Sequence, residues 1–128
     1  MTNLVSHGIV SDMTTDAAST QLRRGVIGPC ILAVLASGPR YGLELVAELN
    51  QIGQLLTSQG TVYPLLNRLH EAGLVTSYWE LGETDRPRRY YRITDSGTQE
   101  LTTFRTDWRR FADSVDQLLE TIPREQNA

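Results

Sequence analysis

Residues 58–75, "SQGTVYPLLNRLHEAGLV", decide how the chain is read. The apolar residues Val62, Leu65, Leu66 and Leu69 recur at the three- and four-residue spacing of a helix face, yet Pro64 lies among them. A proline inside a helix removes one backbone hydrogen bond and crowds the preceding turn. The conflict disappears if the helix starts at Gly60 or Thr61, because Pro64 then falls in the first turn, where no intrahelical acceptor awaits its amide. The spacing therefore predicts a helix from Ser58 or Gly60 to Ala72, with Pro64 stiffening its start and Gly73 just past its end in the left-handed position glycine favours. Such a helix turns Val62, Leu65, Leu66 and Leu69 inward and presents Ser58, Gln59, Thr61, Tyr63, Asn67 and Arg68 outward.

Working outward, Leu22, Val26, Ile31, Val34 and Leu35 suggest an earlier helix, with Pro29 in its first turn or at a kink, ended by "SGPR" at 37–40. "YGLELVAELN" predicts a second helix with Leu43, Val46, Ala47 and Leu49 on its buried face and Glu44, Glu48 and Asn50 away from it. After Gly73 the pattern changes to strands: residues 74–80 and 88–94 are β-branched and aromatic, separated by the turn-forming "LGETDRP". Thr94 or Asp95 then caps a long last helix. Its apolar residues Leu101, Phe104, Trp108, Phe111, Val115, Leu118 and Ile122 alternate at three and four, a seam of 3.5-residue repeat. A narrow seam of large residues needs a partner, which is either a second copy of the chain or the chain's own first helix. Residues 1–20, rich in Ser, Thr, Asp and Ala, read as a mobile tail within which Met13 is a second candidate start.

Composition narrows the function. A chain of 128 residues makes one modest core. The longest uncharged apolar run, 26–37, is too short for a membrane span and is broken by Gly28 and Pro29. No export signal is visible at the N-terminus, so a cytoplasmic location is expected. The single cysteine, Cys30, excludes an internal disulfide, and its apolar neighbours make it a small core residue. The net charge is -3, but its distribution matters more than its sum. All twelve basic residues are arginine; Arg86, Arg88, Arg89 and Arg92 crowd into one acid-free stretch, and Arg23 and Arg24 form a second knot. Arginine's planar fork suits phosphates and guanine edges. His70 has no neighbouring residues that would complete a metal site, and no cofactor is expected. A phosphate-binding glycine loop, an activated nucleophile and a paired carboxylate are all missing from the sequence, so no enzyme is expected.

Three helices followed by a two-stranded hairpin is the order of a winged helix-turn-helix, a mainly α (α+β) fold. "GPRYGLELVAELN", "SQGTVYPLLNRLHEAGLVTSYWE" and "RPRRYYRITDSG" closely resemble the corresponding motifs of the PadR family of bacterial transcriptional regulators, matched at Gly38, Tyr41 and Gly42, at Gly60 through Leu69 and at Arg86 through Thr94. The resemblance spans roughly residues 22–122. It implies a DNA-binding unit at 21–94 and a C-terminal dimerisation helix at 95–122, between the tails 1–20 and 123–128. It also implies a homodimer, like the compact subfamily with a single C-terminal helix, that represses genes by binding a double-stranded operator until a small molecule relieves it. Carried onto this chain, the resemblance puts Ser58, Gln59, Thr61, Tyr63, Asn67 and Arg68 at the major groove and Arg86, Arg88 and Arg89 on the DNA backbone or in the minor groove. Tyr41 either reaches a phosphate or packs under the helix pair, and Arg92 pairs with an acid. Leu101 through Ile122 form the dimer seam. Trp108 either fills that seam or stacks a flat aromatic effector, as an aromatic does in some compact relatives. The rival reading is a winged helix that uses its arginines only to bind an acidic protein.

Overall fold

A computed structural model describes residues 21–53, 55, 57–82 and 86–123. The expected tail at 1–20, the tip of the wing at 83–85 and residues 124–128 lie outside the described residues. A helical stretch at 21–24 precedes a turn at Gly25 and Val26, and α1 then runs over Ile27–Leu35. Pro29 is the third residue of α1, so its missing amide costs no helical bond. A two-residue strand, β1 (Arg40–Tyr41), leads into α2 (Gly42–Asn50), and α3 covers Gln59–Glu71. The wing is β2 (Val75–Leu81) and β3 (Pro87–Ile93), and α4 is the long helix Asp95–Leu119.

Strand β1 is absent from the sequence reading, which treats "SGPR" only as a helix stop. It pairs antiparallel with β3, Arg40 opposite Tyr91 and Tyr41 opposite Tyr90, and completes a sheet of order β1-β3-β2. Two residues carry no usable periodicity, so tertiary pairing alone defines this strand.

The core is small and shared by every element except the far part of α4. Ile27, Ile31, Leu32 and Leu35 of α1 meet Leu45 and Leu49 of α2, Val62 and Leu66 of α3, and Val75 and Tyr91 of the sheet. On α2 the expected inward face is rotated. Leu45 is fully buried, whereas Leu43 is 49% exposed and Ala47 is exposed. The buried row is Gly42, Leu45 and Leu49, with Val46 beside it, because the helix docks by its N-terminal glycine against α3. Glu48, expected to face solvent, is half-buried and ion-paired with Arg40.

Helix α3 starts one residue earlier than the reading that placed Pro64 in a first turn. Ser58 is extended, and its carbonyl accepts the Thr61 amide at 3.0 Å and the Val62 amide at 2.9 Å, so the first helical residue is Gln59. Pro64 is thus the sixth residue of the helix and deletes a bond to the Gly60 carbonyl, a defect inside the second turn that costs up to about 3 kcal/mol. At the other end Gly73 has φ of 78° and the Leu74 amide returns to the Leu69 carbonyl at 2.9 Å, the closure expected there.

Candidate nucleic-acid interface

The outward side of α3 follows from what its inner side buries. With Val62 and Leu66 sealed and Leu65 and Leu69 half-buried, the opposite row is Gly60, Pro64, Asn67 and Glu71. Ser58, Gln59, Thr61, Asn67 and Arg68, the residues assigned to the groove, are all exposed. They divide between the two ends and flanks of the helix instead of forming one patch. Asn67 stands on the central row, next to Pro64 and Glu71, neither of which was assigned to the groove.

Tyr63 is held differently from its neighbours. Its ring lies over Gly42, so close that a β-carbon there would meet the ring Cζ and Oη at 2.6 Å. The helix pair α2 and α3 therefore locks through a tyrosine on a glycine, and Tyr63 keeps one edge in solvent. The loop between the helices is fixed by Asn50, whose amide donates to the Thr57 carbonyl at 2.9 Å and whose carbonyl oxygen accepts the Thr57 amide at 2.7 Å. That clamp sets where α3 begins.

The arginines of the wing are packed against the sheet. On the face opposite buried Tyr91, a row of three tyrosines crosses all three strands. Tyr41 meets Tyr90 edge-on at 5.5 Å, and Tyr90 stacks with Tyr78 at 5.7 Å. The Arg88 guanidinium sits 4.5 Å over the Tyr41 ring, and that of Arg92 sits 4.9 Å over Tyr78. Arg92 was expected to pair with an acid; among the described residues the ion pair is instead Arg40 with Glu48, and the flat tyrosine face next to Arg92 takes its place. Tyr41 packs in this row and not beneath the helix pair. Arg89, on the other face, donates from Nε to the Ser77 hydroxyl at 3.0 Å, and Arg86 is exposed where β3 begins. The two wing arginines Arg88 and Arg89 are thus preoriented by side-chain contacts.

Arg40 anchors the turn between α1 and α2. Besides Glu48 it donates from Nη1 to the Gly38 carbonyl at 2.8 Å, and its guanidinium is held above its ordinary range, chiefly by the Glu48 hydrogen bond. Glu44 accepts the Tyr41 amide at 3.1 Å, closing the start of α2.

Helix α4 begins with the expected Thr94 cap, whose hydroxyl oxygen accepts the Gly97 amide at 3.0 Å. Gly97 abuts the Leu74 carbonyl so tightly that no side chain would fit, which pins the helix to the turn between α3 and β2. Leu101, expected in the seam, packs into the chain's own core. Beyond it the seam leaves the core: Trp108 is 45%, Phe111 62% and Leu118 71% exposed. Phe104, Trp108 and Phe111 line up with ring centroids 6.1 Å apart at each step. Ile122 falls outside the helix, which stops at Leu119. The seam therefore divides along the helix: its first turns pack on the chain's own core, and from Trp108 onward its large side chains are exposed among the described residues. His70 is exposed, and no group of three metal-ligating side chains occurs among the described residues. No described helix is long and apolar enough to cross a membrane.

Residues 31–103 match the model of the transcriptional regulator PadR-like family. This chain belongs to that family. Its fold superposes with a TM-score of 0.81 on a PadR family transcriptional regulator from Eggerthella lenta that is 36% identical, over 90% of this chain and all of the other. A PadR-like transcriptional regulator of Bacillus cereus gives a TM-score of 0.72 at 33% identity, covering 80% of this chain and 99% of the other. The transcriptional regulator Rv3488 of Mycobacterium tuberculosis is 35% identical over 82 residues, 64% of this chain and 75% of that protein. The PadR-type chain is accordingly a winged-helix transcriptional regulator, as these three relatives are named.

The sequence reading found the exposed residues of α3 and the wing arginines. It missed the tyrosine row, the Arg40 anchor and the Tyr63 lock on Gly42. Alternation along 88–92 is the signal that separates Tyr90 from Tyr91, and it was available; the glycine contact has no sequence signal beyond the glycine itself.

Proposed function

We propose that this PadR-type chain is a homodimeric repressor, in which residues 21–94 bind a double-stranded operator and residues 95–122 join two copies. The observation that carries the reading is the exposed polar side of α3: Gln59, Asn67 and Arg68 offer the donors and acceptors that base edges require, on a helix held by its apolar side to a rigid core. Ser58, Thr61 and Tyr63 complete the groove-facing set, and Tyr41 borders it from β1. Arg86, Arg88 and Arg89 of the wing contact the DNA backbone or the minor groove, and their tyrosine and serine supports lower the entropy lost on binding. A dimer places two such helices about one helical turn apart along the duplex.

The solvent-facing row Trp108, Phe111, Val115 and Leu118, continued by half-buried Phe104, supports the dimer, since a contiguous apolar stripe on a small chain marks a protein contact. Within it Trp108, flanked by two aromatic rings, is the platform on which a flat aromatic effector would stack and shift the separation of the reading heads. The test is an electrophoretic mobility shift on the DNA upstream of the protein's own coding region. Selective retardation that weakens when Gln59 or Arg68 is changed fits the repressor; full affinity after both changes contradicts base reading by α3.

A further inference from the structure

The flank of α3 opposite Tyr63 borders a cavity of about 440 Å³ between the first turns of α3 and the helical stretch at 21–24. Arg23, Arg24 and Arg68 line it, and among the described residues no acidic residue does. Its apolar wall is Pro64 and Leu65. Thr57 also lines it, and the Thr57 hydroxyl oxygen is buried without a hydrogen-bond partner among the described residues. Arg24 and Arg68 place two like charges at one cavity, which an anion between them would relieve.

We propose that this cavity is a phosphate site, with Arg24 and Arg68 as its charged walls, and that its ligand is a backbone phosphate of the DNA read by α3. The inference rests on the DNA-binding reading above and extends it to the N-terminal arginine pair. Arg68 belongs both to the cavity and to the exposed side of α3, so a strand whose bases face Asn67 carries its sugar-phosphate chain along this flank. Guanidinium groups hold phosphate oxygens by forked hydrogen bonds, and the Pro64 and Leu65 wall suits the apolar face of a deoxyribose.

The experiment measures fluorescence anisotropy of the whole chain on the upstream duplex and on a scrambled duplex, across a series of potassium chloride concentrations. For Arg24→Ala we expect affinity to fall on the order of tenfold, equally on both duplexes, with the salt slope shallower by about 0.9, one phosphate. Arg24→Lys keeps the slope. A parallel calorimetric titration with inorganic phosphate separates the sources. An unchanged slope together with a saturable phosphate signal lost in Arg24→Ala overturns the DNA backbone as the source and leaves a free-phosphate site. An unchanged slope with no Arg24-dependent phosphate signal overturns the proposal while wild-type binding still upholds the DNA reading. If the wild-type chain binds neither duplex, the DNA reading fails, and the phosphate titration alone decides the cavity.

Discussion

The ring of Tyr63 occupies the space that a side chain on Gly42 would need, with its Cζ and Oη 2.6 Å from the position of a β-carbon there. This contact sets the angle between α2 and α3, so the pose of the exposed helix depends on a residue with no side chain. Gly42→Ala must push the ring aside. We expect a loss of about 1–2 kcal/mol in chemical denaturation, within the range for overpacking, and weaker DNA binding than the stability loss alone explains. Tyr63→Leu in the same background relieves the clash and recovers the stability.

Pro64 gives the opposite sign. It sits at the sixth position of α3 and deletes a helical hydrogen bond, so Pro64→Ala restores the bond to Gly60. The expected gain is about 1–3 kcal/mol, several degrees in melting temperature by calorimetry. If the proline shapes the helix for DNA, the stabler variant binds the operator less well.

The two parts of the α4 seam separate by mutation. Leu101 is packed in the core, so Leu101→Asp destabilises the chain itself and lowers the melting temperature sharply. Phe111 is 62% exposed, so Phe111→Glu leaves the fold intact and yields monomers in sedimentation equilibrium. A Phe111→Glu variant that still sediments as a dimer would show that another surface joins the copies.

Cys30 is half-buried on α1, and burial pushes its thiol above the ordinary range. The neutral thiol is therefore favoured in the folded chain, a contribution present below the unfolded thiol's pKa and lost as pH rises through the folded value. Iodoacetamide should label the native protein slowly at pH values near or below that of a free thiol and label it rapidly once denaturant unfolds it. Fast labelling of the native chain would place Cys30 in solvent.

Much of this architecture was legible in the chain because helices and wing strands announce themselves by period. Val62, Leu65, Leu66 and Leu69 mark α3 at helical spacing with Gly73 past its end, and the aromatic and β-branched residues of 88–94 mark β3. Arg40 and Tyr41 form a strand only because β3 offers an edge, and two residues hold no period. Leu43 and Leu45 are both apolar but lie on nearly opposite sides of the helix, so only docking against α3 decides which is buried. The site was legible as a set of exposed polar residues. Its supports were not, since the stacking of Arg88 on Tyr41 and of Arg92 on Tyr78 joins residues far apart in the chain.

The central claim is that α3 reads bases, and Asn67, on its outward row, is the residue that tests it most directly. Anisotropy titrations of wild type and Asn67→Ala on the upstream duplex and on its scrambled counterpart give both affinity and discrimination. We expect Asn67→Ala to lose about 1–3 kcal/mol on the specific duplex and almost nothing on the scrambled one. Equal affinity of the two proteins for the specific duplex, with discrimination intact, would contradict it.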